Sequence, residues 1–295
     1  MSDTQQKHAY LMIAHTNFEQ LQTLIDLLDD PRNDIYLHID KKSKNVPRFS
    51  AKYSQLHLVE PMNVIWGGHS QVHCELKLME AASQGHYRYY HLISGMDLPF
   101  KTQDEIHDFF REHDGKEFMG FNDQACASKN FHYRILYYFY FSNLGINSRR
   151  SICYAMRQID LLLIKVQKLL HITRKPIFPL YKGDQWFSIT DELLQFVLAH
   201  KDEIRKQFDY TLCPDEIFLQ SVAMGSPRRD YIVKNTLRSI DWERGQPYTF
   251  RAEDVPMLLA SDTLWGRKFD QRVDREAIDM IVAHLRSQTD QKTAE

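Results

Sequence analysis

Ala9-Tyr-Leu-Met-Ile-Ala14 and Ile35-Tyr-Leu-His-Ile39 are short apolar runs of strand length. Between them, Leu21, Leu24, Ile25, Leu27 and Leu28 recur at helical spacing until Asp29-Asp30-Pro31 ends the pattern. Leu56-His-Leu-Val59 reads as a third strand. Strand, helix and strand in this rhythm predict a parallel sheet covered by helices. Open α/β sheets bind ligands beyond the carboxyl ends of their strands, so His15, Thr16 and Asp40 fall on the expected binding edge. Position alone equally allows His15 and Asp40 to be turn caps.

The rhythm continues with a helix over 70–82, a strand over 89–94 and a helix over 102–110. Ser94-Gly-Met-Asp97-Leu-Pro99 reads as a loop at the strand's end, where Gly95 permits a tight turn and Pro99 stiffens the exit. Asp97 is therefore held in place, either as a turn or helix cap or for a ligand. Lys182-Gly-Asp-Gln-Trp-Phe-Ser-Ile-Thr190 reads as a turn into a strand, followed by a helix over 191–200. In Thr211-Leu-Cys-Pro-Asp-Glu-Ile-Phe-Leu219, Pro214 suits a first helical turn, where free N–H groups and the helix dipole favour Asp215 and Glu216. A general base needs a carboxylate fixed in that way, although acids in first turns are also common capping residues. Further on, 241–245 and 248–251 read as loop and strand, and Trp265-Gly-Arg-Lys268-Phe-Asp270 as a basic loop.

The chain has 295 residues, 43% of them hydrophobic and 26% charged, with a formal net charge of −2. That is ample for the core of one large α/β domain, and no linker divides it. The balance lacks the basic excess of a nucleic-acid-binding protein. Cys74, Cys126, Cys153 and Cys213 form no CxxC pair, so neither a zinc site nor a disulfide framework is expected. The polar stretch 1–8 holds no apolar signal segment, which sets the expectation of a cytoplasmic protein. Residues 131–182 depart from the rest: Tyr137-Tyr-Phe-Tyr-Phe141 is strongly aromatic, and Arg149, Arg150, Arg157, Lys165, Lys168, Arg174 and Lys175 face a lone acid, Asp160. Residues 159–170 form a basic amphipathic helix, which either lies on an anionic membrane or packs its apolar face on the core.

Taken in order, several segments resemble the core-2/I-branching glycosyltransferases, a family that includes the protein xylosyltransferases. They are Ala14-His15, Leu-His-Ile-Asp40-Lys-Lys-Ser43, Ser94-Gly-Met-Asp-Leu-Pro99, the Gly183–Phe187 turn, Cys213-Pro-Asp-Glu216 and Arg-Lys268-Phe-Asp270. Ile65-Trp-Gly-Gly68 and Gln185-Trp-Phe187 lean toward the xylosyltransferases, and Pro-Asp-Glu216 toward the N-acetylglucosaminyltransferases. The resemblance implies a GT-A-type fold in one domain over 1–295, with a basic and aromatic helical insert at about 131–182. It implies an inverting enzyme that moves GlcNAc or xylose from a UDP-sugar to a hydroxyl of a glycan acceptor; the polar N-terminal stretch and the basic, aromatic insert add the expectation of a lipid-linked glycan acceptor and a peripheral place on the inner membrane face. Glu216 resembles the catalytic base. Arg251 and Lys268 resemble the pair on the donor diphosphate, and Ala14, His15, Thr16 and Asp40 the donor's uridine end. Asp97, Trp186, Asp215 and Arg134 fall on the acceptor or orienting side.

The sequence contains no Asp-x-Asp, the usual metal clamp on a sugar-nucleotide diphosphate. Arginine and lysine can neutralise the same leaving group, so no metal or other cofactor is expected. Competing expectations are a non-catalytic nucleotide- or carbohydrate-binding protein on the same scaffold and a membrane-associated scaffold built on 149–175. A metal site on His69 and His73, four residues apart, would need a third ligand that the sequence does not offer.

Overall fold

Every residue of Asn33–Ile39 (β2) is buried, and of His8–Ala14 (β1) only Ile13 is even partly open. This is the pattern of strands covered on both faces, and it places the pair at the centre of a sheet. The computed structural model describes residues 7–126, 128–144 and 151–294; Arg149 and Arg150 of the basic stretch lie outside them. The other strands are Gln55–Val59 (β3), Tyr89–Ser94 (β4), Asp97–Pro99 (β5), Glu117–Met119 (β6), Phe187–Thr190 (β7), Ile232–Val233 (β8), Arg238–Ile240 (β9) and Trp265–Arg267 (β10). Seven of them form a mixed sheet in the order β3-β2-β1-β4-β7-β6-β8. The first four run parallel, and β7 is antiparallel to both of its neighbours. This is the expected Rossmann-like α/β architecture, a mostly parallel sheet flanked by helices.

Helix Phe18–Leu28 turns Leu21, Leu24, Ile25 and Leu28 to one face of the sheet, while Ser70–Ala82 brings Val72, Leu76, Leu78 and Met79 to the other. Thr102 caps Gln103–Glu112 through a capping box with Glu105.

Four segments differ from their sequence reading. Asp97–Pro99 and Trp265–Arg267 pair with each other, and Trp265–Arg267 also with β9, as a second, three-stranded sheet where loops were expected. Strands this short have too few residues to show a period. Gly266 is required here because a Cβ would run into the Phe100 ring. Pro214–Glu216 is a 3₁₀ turn separated by Ile217 from the α-helix Phe218–Met224, instead of that helix's first turn. Finally, 248–251 forms no strand.

Candidate active site

The carboxyl ends of β1, β2 and β4 open into a cleft of about 450 Å³. Ala14, His15, Thr16 and Asp40 line it, as do Trp186, Arg267 and Gln71. Parallel pairing puts the ends of β1 and β2 side by side, and the Asp40 N–H donates to Ala14 O at 2.9 Å. Asp40 is both cap and wall. Its carboxylate accepts from the N–H groups of Lys42 (2.8 Å) and Val64 (3.3 Å) and pairs with Lys42 Nζ at 3.2 Å. His15 stands at the mouth. Partial burial pushes its imidazole below the ordinary value and Lys268 adds to the effect, while Asp40 opposes it.

Asp97 lies beneath the floor of the cleft and is fully buried. It accepts from the Ser94 N–H (3.0 Å), from Ser94 Oγ (2.9 Å) and from Arg267 NH1 (2.9 Å), and Arg267 also bonds Ser94 Oγ. The carboxylate therefore orients Arg267 and does not face the open cleft. The Arg267 guanidinium lies 4.5 Å from the Trp186 ring, and Arg238 lies 5.9 Å from it on a buried position. Burial lowers Arg238 to about 10. Arg267 and Arg238 thus bring two guanidiniums to the floor, with Asp97 bonded to Arg267 and Asp184 near enough to act on Arg238.

The turn carrying Asp215 and Glu216 adjoins the cleft without lining it. Lys182 Nζ is 2.9 Å and Arg134 NH1 3.8 Å from Glu216, and both address Oε2. The Gly183 N–H donates to Glu216 O at 2.8 Å. Gly183 itself passes so close to Gly120 that a Cβ would overlap the Gly120 carbonyl, so any side chain there would displace the turn. Asp215 is buried and accepts from Gln71 Nε2 at 3.0 Å, and its Oδ1 has no partner. Burial, with Glu216 beside it, raises its carboxyl to about 7. Gln185 Nε2 donates to Glu75 Oε1 at 2.8 Å; burial, and then Asp215, push that carboxyl well up. Gln71 and Gln185 both line the cleft, so this buried amide and acid layer joins its wall to the Glu216 turn.

Of the two expected diphosphate cations, Lys268 follows Arg267 and lies close enough to influence His15. Arg251 is exposed and does not line the cleft, although the Phe250 N–H donates to Lys268 O at 2.9 Å and keeps the two segments adjacent. Sequence reasoning missed Arg267, Lys182, Gln71 and Gln185. Arg267 could have been found as the neighbour of Lys268. Gln185 stood in the family-like Gln185-Trp-Phe187 segment without a role, and Gln71 carried no local signal, because both meet the acids only through tertiary packing. His69 and His73 do not share a ligand set: His69 bonds Asn143 and His73 bonds Asp209 at 2.7 Å. Among the described residues, no group of three or more His, Cys, Asp or Glu is placed to hold a metal ion.

The profile of the Core-2/I-Branching enzyme family matches residues 8–259. Xylosyltransferase 2 of Canis lupus familiaris is 23% identical over 310 residues, covering 94% of this chain and 33% of that protein. Xylosyltransferase 1 of Rattus norvegicus is 23% identical over 312 residues, covering 94% and 35%. The chain thus spans about a third of the length of the curated relatives it matches. The crystal structure of mouse xyloside xylosyltransferase 1 in its apo form aligns over 88% of this chain and 96% of that one, at 10% identity and a TM-score of 0.37, too slight a likeness to add to the fold argument. The family profile spans most of the chain: it belongs to the Core-2/I-Branching enzyme family of glycosyltransferases.

Proposed function

We propose that the chain transfers a sugar from a UDP-sugar to a hydroxyl of a glycan acceptor, with inversion and without a metal. The observation that carries this reading is the cleft itself. It sits at the carboxyl ends of parallel strands, has Arg267 on its floor beside Lys268, and is tied through Gln71 and Asp215 to the turn of a half-exposed carboxylate, Glu216. The donor's uridine end takes the Ala14, His15, Thr16 and Asp40 wall, and its diphosphate the floor of Arg267. Glu216 accepts the acceptor's proton on Oε1 while Lys182 holds Oε2. The acceptor oxygen attacks the anomeric carbon opposite the departing UDP, and one displacement inverts the configuration. Charge that builds on the diphosphate meets fixed cations, which stabilise the transition state more than the ground state. Trp66 at the rim is 62% exposed and offers an indole face to an acceptor ring.

The names of the relatives favour xylose as the first donor to try, with GlcNAc second. A lipid-linked acceptor at the inner membrane face fits the basic, apolar stretch after residue 150. Transfer assayed in EDTA tests the metal-free reading. Undiminished activity is expected; activity lost in EDTA and restored by Mn²⁺ would contradict it.

A further inference from the structure

The helix Ser151–Leu169 is turned inside out relative to an ordinary surface helix, which buries its apolar stripe. Among its described side chains, those it buries are Asp160, Ile164 and Gln167, two of them polar. The Asp160 carboxylate accepts from the Phe141 N–H at 3.1 Å. Gln167 accepts from the Tyr138 N–H at 2.9 Å and donates to Tyr138 O at 3.0 Å. The helix is thus anchored by serving the backbone of the aromatic segment beneath it. Apart from Ile164, its apolar side chains are partly or largely exposed: Ile152, Leu162 and Leu169 are 64%, 60% and 77% exposed, and Leu170 and Ile172 carry the strip beyond the helix end. Soluble monomers rarely leave so continuous an apolar strip uncovered.

Charge decides what covers it. Arg157, Lys165 and Lys175 are exposed along the same stretch, and the one acid in residues 151–177 is the buried Asp160. A protein partner that covered the leucines would also have to desolvate those cations. A lipid surface accepts both, with phosphates at the ammonium and guanidinium groups and acyl chains at the leucines. No helix among the described residues is long and apolar enough to cross a membrane, so the contact lies in the interface plane. We propose that the exposed face of 151–177 is a docking surface for an anionic lipid bilayer. The docking stands apart from the transferase reading and is tested without it.

The test is flotation of the full chain with vesicles of phosphatidylcholine and of equimolar phosphatidylcholine and phosphatidylglycerol. The wild type is expected to float with the anionic vesicles and not with the neutral ones. Leu162→Gln combined with Leu169→Gln should abolish flotation, while the thermal melt and the far-UV circular dichroism stay as in the wild type. Arg157→Gln and Lys165→Gln should each weaken binding on the order of fivefold. Failure of the wild type to float, or undiminished flotation of the double leucine variant, would overturn the proposal. So would a wild-type dimer that the double variant converts to monomer, which would assign the face to a second copy of the chain.

Discussion

At the scale of single residues, the account concentrates the chemistry on Glu216 and its surroundings. General-base help contributes about 10²–10⁴-fold, so Glu216→Gln should lose that much in kcat and keep its affinity for UDP, as steady-state rates and a UDP titration would read. Lys268→Ala should weaken UDP binding, and an unchanged titration would remove Lys268 from the diphosphate site. Asp97 tests a different role. Removing it leaves Arg267 over a buried floor without its carboxylate, and breaking such a pair costs about 3–5 kcal/mol. Asp97→Ala should therefore lower the denaturation midpoint as well as donor affinity. The wall residues His15, Thr16 and Asp40 were legible from strand ends, because a parallel sheet converts position in sequence into position on one edge, whereas Ala14 came from the family resemblance. Asp97 was legible as a fixed residue, but its partner was not: the pairing with Arg267 spans 170 residues.

At the scale of elements, two buried layers should show themselves through pH. The Asp215 carboxyl, raised to about 7 against an ordinary 3.8, keeps a proton in the folded chain that the unfolded chain has already released. Stability from this group therefore falls as pH rises through that window. Asp215→Asn should gain on the wild type by about 1.4 kcal/mol per pH unit there, measured by denaturant unfolding at several pH values. His91, buried in β4 against His8 and Ser188, is pushed well below its ordinary 6.5 by burial and by Arg238. Here the unfolded chain binds the proton that the folded chain refuses, so stability falls as pH drops below 6.5. His91→Gln should flatten that fall by up to about 1.4 kcal/mol per pH unit. The two variants thus bend the pH profile in opposite directions. Long elements such as Ser70–Ala82 and Tyr89–Ser94 were readable because their apolar period has room to repeat. Asp97–Pro99 and Trp265–Arg267 were not, since their strand character comes from pairing with each other. The 3₁₀ turn at Pro214–Glu216 was also hidden, because proline and two acids suit the first turn of either kind of helix.

At the scale of the molecule, one edge of the sheet gathers the proposed donor wall, the floor of Arg267 and the turn of Glu216, the proposed base, while the helix Ser151–Leu169 presents an apolar strip outward. The sequence left two fates open for that helix, membrane surface or core, and in the structure it packs on the protein through Asp160, Ile164 and Gln167 while Ile152, Leu162 and Leu169 lie exposed. Its inner contacts are hydrogen bonds to backbone, which no hydrophobic periodicity can reveal. The membership of the family was readable from short segments spread along the chain, each of which lands on or beside the cleft. The most direct test of the central claim is UDP release from UDP-xylose and UDP-GlcNAc, measured in EDTA for the wild type and for Glu216→Gln. The account predicts metal-free release from at least one donor by the wild type, and near loss of it in the variant. No release from either donor, or equal release by the variant, would contradict it.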